Sequence, residues 1–234
     1  MDKRSLLSAF VNTHPENFSS VVDFDPGTDC LFALDLTEAN TQLTPEIVDD
    51  TARFSAWVSN TLNHSGCRYA VGGYMEHRTI YSRSAHFNSE SEPRRLHLGV
   101  DIWAAAGTSV YAVADGVVHS FRDNDNFGDY GPTIILEHDL GGLQLYSLYG
   151  HLSRADLNGL YKGKLVKSGE LIAHFGDQQE NGSWPPHLHF QLMFDMQGLE
   201  GDYPGVAAYS QKATWLQNIP DPNLLLRYPK AVSR

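Results

Sequence analysis

Apolar and polar positions follow two periods along this chain. Between Thr44 and Gly66 they recur at helical spacing, with Ile47, Val48, Phe54, Trp57, Val58 and Leu62 on one stripe. Thr44 as N-cap, Pro45 at the first position and Glu46 in the first turn predict the start, and Gly66 predicts the stop. The pattern predicts one helix over about 45–63, with its Phe and Trp packed on the rest of the protein. Upstream, Ser5 to Val11 predicts a shorter helix that stops near His14-Pro15. Asp25-Pro26-Gly27-Thr28 reads as a turn, and Leu31 to Leu36 as a short strand.

From Cys67 onward the pattern is one of short strands and turns. Strands are expected over 68–74 and 79–81, with a polar loop over 82–95. Three hairpins follow in the pattern. They join 110–113 to 117–121, 133–137 to 143–148, and 165–166 to 171–175. His187 to Phe194 is the last strong strand. The tail after Gly201, rich in Pro and aromatic residues, is expected to wrap the domain, with a short helix starting at Asp221-Pro222. Tight turns without regular strand–helix–strand alternation predict a mainly β fold with some α, built on an antiparallel sheet. The organisation expected is a partly helical N-terminal extension over 1–66 and a main domain over 67–234.

Composition and charge then narrow the function. The chain has 234 residues, 41% of them hydrophobic, an ordinary globular composition. Net charge is −11 and Lys and Arg do not cluster, which argues against nucleic acid and anionic surfaces as partners. No apolar run reaches the ~18 residues of a membrane span. The run Leu6 to Val11 is shorter than the ~7–15 residues of a signal-peptide core, so the chain as written is expected to be cytoplasmic. It would be exported or periplasmic if a leader had been removed. Cys30 and Cys67 have neither CxxC spacing nor a histidine neighbour, and two buried free thiols are expected in preference to a disulfide.

Common catalytic signatures such as HExxH, GxSxG and GxxxxGK are absent, which leaves the histidines. His187 and His189 share one face of a strand whose other face carries Leu188, Phe190 and Leu192. A solvent-facing strand side is the alternative. His97 and Asp101 flank Gly99, which permits close backbone approach and could turn both side chains toward one ion; taken alone, the spacing favours a surface His and a turn Asp. His151 ends an aromatic strand, Tyr146 to Tyr149, where either a working or a structural residue can sit. His119, His138 and His174 lack a partner in the pattern and read as core or surface residues. Four histidines and one carboxylate suffice for a two-histidine, one-aspartate zinc site with two histidines left for acid–base work.

The ordered series carries a resemblance. It runs from His97-Leu98-Gly99-Val100-Asp101 through Ala105-Ala106-Gly107-Thr108 and Asp115-Gly116-Val117-Val118 to Tyr149-Gly150-His151-Leu152. Val166-Lys167-Ser168-Gly169-Glu170 and Pro186-His187-Leu188-His189-Phe190 complete it. Over roughly residues 95–195 this resembles the M23 metallopeptidases, the lysostaphin and LytM type of peptidoglycan endopeptidase. The resemblance implies a lysostaphin/LytM-like β-sheet with a metal-site groove (a duplicated hybrid motif), one zinc per chain held by His97, Asp101 and His189, and His151 with His187 as the catalytic pair. It further implies a peptide or peptidoglycan-like substrate. Small cytosolic amides and a non-catalytic binding role are the alternatives. Departures from the family pattern are Gly182-Ser183-Trp184-Pro185-Pro186 in place of a Gly-rich lead, and Arg94 and Arg95 where an oxyanion-assisting tyrosine is usual, with Tyr74 and Tyr81 further back. The segment Gly72 to Arg78, with Tyr81, resembles instead M23-like domains that precede kinase-like and aminotransferase domains. Its polar residues either line the cleft or form an ordinary strand and turn.

Overall fold

A computed structural model describes residues 2–88 and 91–233. Residues 89 and 90 of the expected 82–95 loop, and the two chain ends, lie outside the described residues. In chain order the N-terminal elements are α1 (Lys3–Thr13), β1 (Leu31–Ala33), α2 (Pro45–Val48), α3 (Thr51–Ser65) and β2 (Tyr69–Gly72). Strands β3 (Arg94–His97), β4 (Val100–Trp103), β5 (Ser109–Tyr111), β6 (Gly116–Asn124), β7 (Gly131–Leu140) and β8 (Leu143–Gly150) follow. The chain closes with β9 (Leu165–Val166), β10 (Leu171–His174), β11 (His187–Met193), β12 (Val206–Ala208), α4 (Lys212–Asn218) and α5 (Asn223–Leu226).

The expected mainly β architecture is what the chain adopts. Eight strands form one sheet in the order β1-β2-β4-β11-β8-β7-β6-β9. All its pairs are antiparallel except β1 with β2. That parallel pair is possible because α2 and α3 supply the long crossover a parallel connection needs. The crossover also corrects the cysteine expectation. Cys30 precedes β1 and Cys67 precedes β2, so parallel pairing of Leu31 with Tyr69 sets them side by side. They form a disulfide, with their Cα atoms 4.9 Å apart. Nothing in the spacing reveals this, because it depends on a strand pairing made through the helix.

Two further corrections concern local elements. The expected helix over 45–63 is broken in two at Asp49-Asp50, where the Asp50 carboxylate accepts from the Arg53 backbone and caps α3 afresh. Gly66 ends α3 at φ 73°, as expected. Only the middle hairpin, β7–β8, forms as predicted. The turns at 114–116 and 167–169 dock on each other, Asp115 accepting from Ser168 N (2.8 Å) and Lys167 Nζ (2.7 Å). The four flanking strands therefore exchange partners, β5 with β10 and β6 with β9. Residues 79–83 form a 3-10 turn rather than a strand, which buries the consecutive Ile80 and Tyr81 together.

Strand β11 divides the interior. Leu188, Phe190 and Leu192 face a buried cluster that includes Leu7 and Val11 of α1 and Tyr149 of β8. On the helix side, Phe54 and Val58 of α3 share a buried cluster with Tyr81, Trp103 and Trp184. Burying each such side chain contributes about 1.5–3 kcal/mol, so the N-terminal helices are fixed by the core they complete. The tail does more than wrap: β12 pairs with β3, and α4 and α5 follow it.

Candidate metal centre

Three adjacent strands build the site. In register, His189 of β11 lies opposite Asp101 of β4 on one side and Gly150 of β8 on the other. His97 ends β3 and reaches the same point through the Leu98-Gly99 link into β4. A Cβ on Gly99 would lie 2.7 Å from the His189 ring, so only glycine lets that ring occupy its position. His151 follows β8 at φ 62°, a left-handed conformation unusual for a side-chain-bearing residue. Its backbone is pinned there, with its N–H donating to Tyr130 O (2.8 Å) and its carbonyl accepting from Gly176 N (2.9 Å).

His97, Asp101 and His189 converge as candidate metal ligands. His97 Nε2 and His189 Nδ1 are 2.9 Å apart. Asp101 Oδ1 lies 3.0 Å from His189 Nδ1 and 3.2 Å from His97 Nε2. Hydrogen bonds on the far side of each ring decide which atoms face this triangle. His97 Nδ1–H donates to the Gly73 carbonyl (3.0 Å), which leaves Nε2 as the lone-pair nitrogen. His189 Nε2–H donates to Gln191 Oε1 (3.1 Å), and Gln191 Nε2 donates in turn to Pro204 O (3.1 Å), which fixes the amide's orientation. The lone pair of His189 Nδ1 therefore faces the triangle too. Two nitrogen lone pairs and a carboxylate oxygen meet with no proton among them, which is repulsive unless a cation lies between. A four-coordinate zinc with bonds of about 2.0–2.1 Å separates its ligand atoms by roughly 3.3 Å, close to the spacing seen here. The residues fit a metal ion.

Burial sets the charge states. The site histidines and Asp101 are all less than a tenth exposed. Burial pushes His97 down to about 4, aided by the Arg78 cation and opposed by Asp101. Burial works against a charged Asp101, but the neighbouring His97 and Arg78 outweigh it and hold its carboxyl well below the usual range. Burial likewise pushes His187 down to about 4, and puts His151 well below its ordinary value with His187 and His189 adding to the effect.

His151 and His187 form a second pair beside the triangle, their rings 4.1 Å apart. Each donates from Nδ1 to a backbone carbonyl, His151 to Asn181 (2.8 Å) and His187 to Pro185 (2.7 Å). Each Nε2 is thus a free acceptor, and no hydrogen-bond partner for either is found among the described residues. Asn181 organises the loop between them: its side chain accepts from Trp184 N (3.0 Å) and donates to Trp184 O (3.1 Å). The Trp184-Pro185 wall and both catalytic candidates are therefore held by one short segment. All five residues singled out from the sequence come together, and four of them, Asp101, His151, His187 and His189, line a cavity of about 310 Å³.

Other residues of this cavity were missed or left open. Arg78, fully buried, binds Asp101 Oδ2. Tyr130 places its hydroxyl 3.4 Å from His189 Nε2. Of the two tyrosines considered, Tyr81 faces the site, its ring 6.4 Å from that of His97, whereas the Tyr74 hydroxyl donates to Ile219 O. Arg94 lines the cavity and Arg95 binds Asn88 instead. Gln191 had a signal in the sequence, since it continues the period-two row of His187 and His189. Tyr130 had none.

The fold and site define a mainly β protein with a buried two-histidine, one-aspartate centre. Residues 95–200 match the model of Peptidase family M23. The DD-carboxypeptidase/endopeptidase Mpg of Neisseria meningitidis serogroup B is 33% identical over 131 residues, 54% of this chain and 28% of its own length. The L-Ala--D-Glu endopeptidase of Bacillus subtilis is 30% identical over 107 residues, 44% of this chain and 31% of its own. This chain thus spans about three-tenths of the length of these relatives. Among solved structures, the catalytic domain of the antimicrobial peptidase lysostaphin from Staphylococcus simulans aligns with 74% of this chain and 97% of its own, at 25% identity and a TM-score of 0.44.

Proposed function

We propose that this chain is a zinc-dependent peptidase that hydrolyses amide bonds in peptidoglycan-type peptides. The observation that carries the reading is the pairing of a proton-free donor triangle with two neutral imidazoles whose Nε2 lone pairs face the same cavity. His97, Asp101 and His189 would hold the zinc. When bound, zinc would supply Lewis acidity to the reaction. His151 and His187 are bases at neutral pH, because burial keeps them unprotonated. One of them takes a proton from the attacking water as its oxygen bonds to the carbonyl carbon. The imidazolium so formed gives that proton to the leaving nitrogen as the C–N bond breaks, so the histidine ends as it began. Trp103 stacks on the His187 ring, 5.6 Å between centres, and Trp184 lines the same cavity.

The M23 segment and the peptidoglycan endopeptidases among the relatives support this substrate class. A second reading, hydrolysis of a small peptide or amide, is favoured by the confinement of the site: about 310 Å³ lies at the low end of ligand pockets. The Cys30–Cys67 disulfide supports work in an oxidising compartment outside the cytoplasm. Among the described residues no helix is long and apolar enough to cross a membrane. The deciding experiment is digestion of purified peptidoglycan, read by release of new amino groups. Release abolished by a chelator and restored by zinc is expected. A zinc-loaded chain that leaves peptidoglycan intact but cleaves short peptides would establish the second reading.

A further inference from the structure

Arg78 lies outside the family-matched segment, yet it donates directly to a candidate ligand. Its side chain is 1% exposed. Nη1 donates to Asp101 Oδ2 (2.5 Å) and Nε donates to Glu76 Oε2 (2.6 Å). The Tyr81 hydroxyl accepts from Nη1 (3.3 Å), and the guanidinium stacks over Trp103, 5.6 Å from the ring centre. A Cβ on Gly72 would meet Trp103 at 2.5 Å and Arg78 Nη2 at 2.7 Å, so the glycine in β2 is what lets this stack form. Four neighbours therefore over-determine the position of one cation.

The two oxygens of Asp101 have different partners. Oδ1 belongs to the donor triangle, and Oδ2 is occupied by the guanidinium. We propose that Arg78 is a positioning residue that restricts Asp101 to one-oxygen ligation and so keeps the remaining position on the metal open for substrate and water. A carboxylate can bind a metal through one oxygen or through both. Bound through both, Asp101 would give the ion four protein donor atoms, and water or substrate could add only as a fifth. A buried arginine suits this task because its planar fork engages Asp101 and Glu76 at once and stays charged. Glu76 aims the fork and offsets its charge, so the role belongs to the pair.

This inference rests on the metal-centre reading above, and its test separates the two. Metal-stripped wild type, Arg78→Met and Arg78→Lys are titrated with Co²⁺, and metal uptake and the visible absorption spectrum are recorded. Wild type is expected to take up one Co²⁺ and show the intense bands of a four-coordinate ion. Arg78→Met is expected to take up Co²⁺ and lose intensity to the weaker five-coordinate pattern as Asp101 swings to bind through both oxygens. Arg78→Lys preserves the charge and guards against loss of folding. It is expected to show a mixture of the two spectra, because one ammonium cannot hold both carboxylates in the arginine's geometry. A wild-type spectrum in either folded variant overturns the role of Arg78 and leaves the metal centre standing. No uptake by folded wild type overturns the metal centre itself.

Discussion

His138 on β7 and the site histidines make an instructive pair of regions. All are buried, all lie on or beside the same sheet, and burial pushes His138 down as it does His97, His151 and His187. The difference is in the second nitrogen. His138 Nδ1–H donates to Asp115 O (2.8 Å) and its Nε2 accepts from Ser147 Oγ (2.7 Å), so both ring nitrogens are spent inside the fold. In the site, each histidine spends one nitrogen on a backbone carbonyl or on Gln191 and turns the other lone pair to the donor triangle or the cavity. Burial and a lowered pKa therefore do not mark a working histidine here; the unspent lone pair does.

The comparison breaks most severely if metal uptake survives loss of a site ligand. His189→Ala is expected to lose the metal and all turnover, read by metal content after dialysis. His151→Ala is expected to keep the metal and lose about 10²–10⁴-fold in turnover, the usual worth of a positioned acid–base group. Gln191→Leu removes the acceptor that orients His189 without removing a candidate ligand. Affinity about 10–100-fold weaker is expected in chelator competition, in line with other residues that orient a ligand. His138→Ala sharpens the contrast from the other side. It strands the Asp115 carbonyl and leaves the Ser147 hydroxyl with Tyr149 alone, which should cost about 1–3 kcal/mol in denaturant unfolding with metal uptake unchanged.

The smallest expected effect is on pH dependence, and its sign follows from the lowered values. A histidine whose pKa is lower folded than unfolded stabilises the fold fully above its unfolded value, about 6.5. That contribution is lost as pH falls toward the folded value, because the unfolded chain takes up the protons first. Metal-free protein should therefore lose stability from about pH 6.5 downward, approaching the value near 4 of His97 and His187. His138→Gln should shallow that slope, which urea titrations at a series of pH values would read. An unchanged slope would show that His138 takes up its proton as easily folded as unfolded.

Why the site was more legible than the scaffold follows from range. The spacing of His187 and His189 is a local consequence of strand periodicity, and Gly99 was readable as a point of close approach. The division of labour between His189 and His187 came only through the family resemblance. Partner choice among β5, β6, β9 and β10 was not readable, because it turns on Asp115 meeting Ser168 and Lys167 some fifty residues away. The disulfide was hidden for the same reason. Backbone carbonyls at Gly73, Asn181 and Pro185 set the tautomers, and carbonyls leave no trace in a sequence. Arg78 sat in a segment whose polar residues had two readings, and only the fold brings it to Asp101.

His97, Asp101 and His189 stand as three proton-free donors already assembled for one cation. Calorimetric titration of the metal-stripped chain with zinc at neutral pH tests this most directly. Saturable binding of one zinc per chain, abolished in His189→Ala, is expected. A chain that is folded by its near-ultraviolet circular dichroism and yet binds no zinc would contradict it.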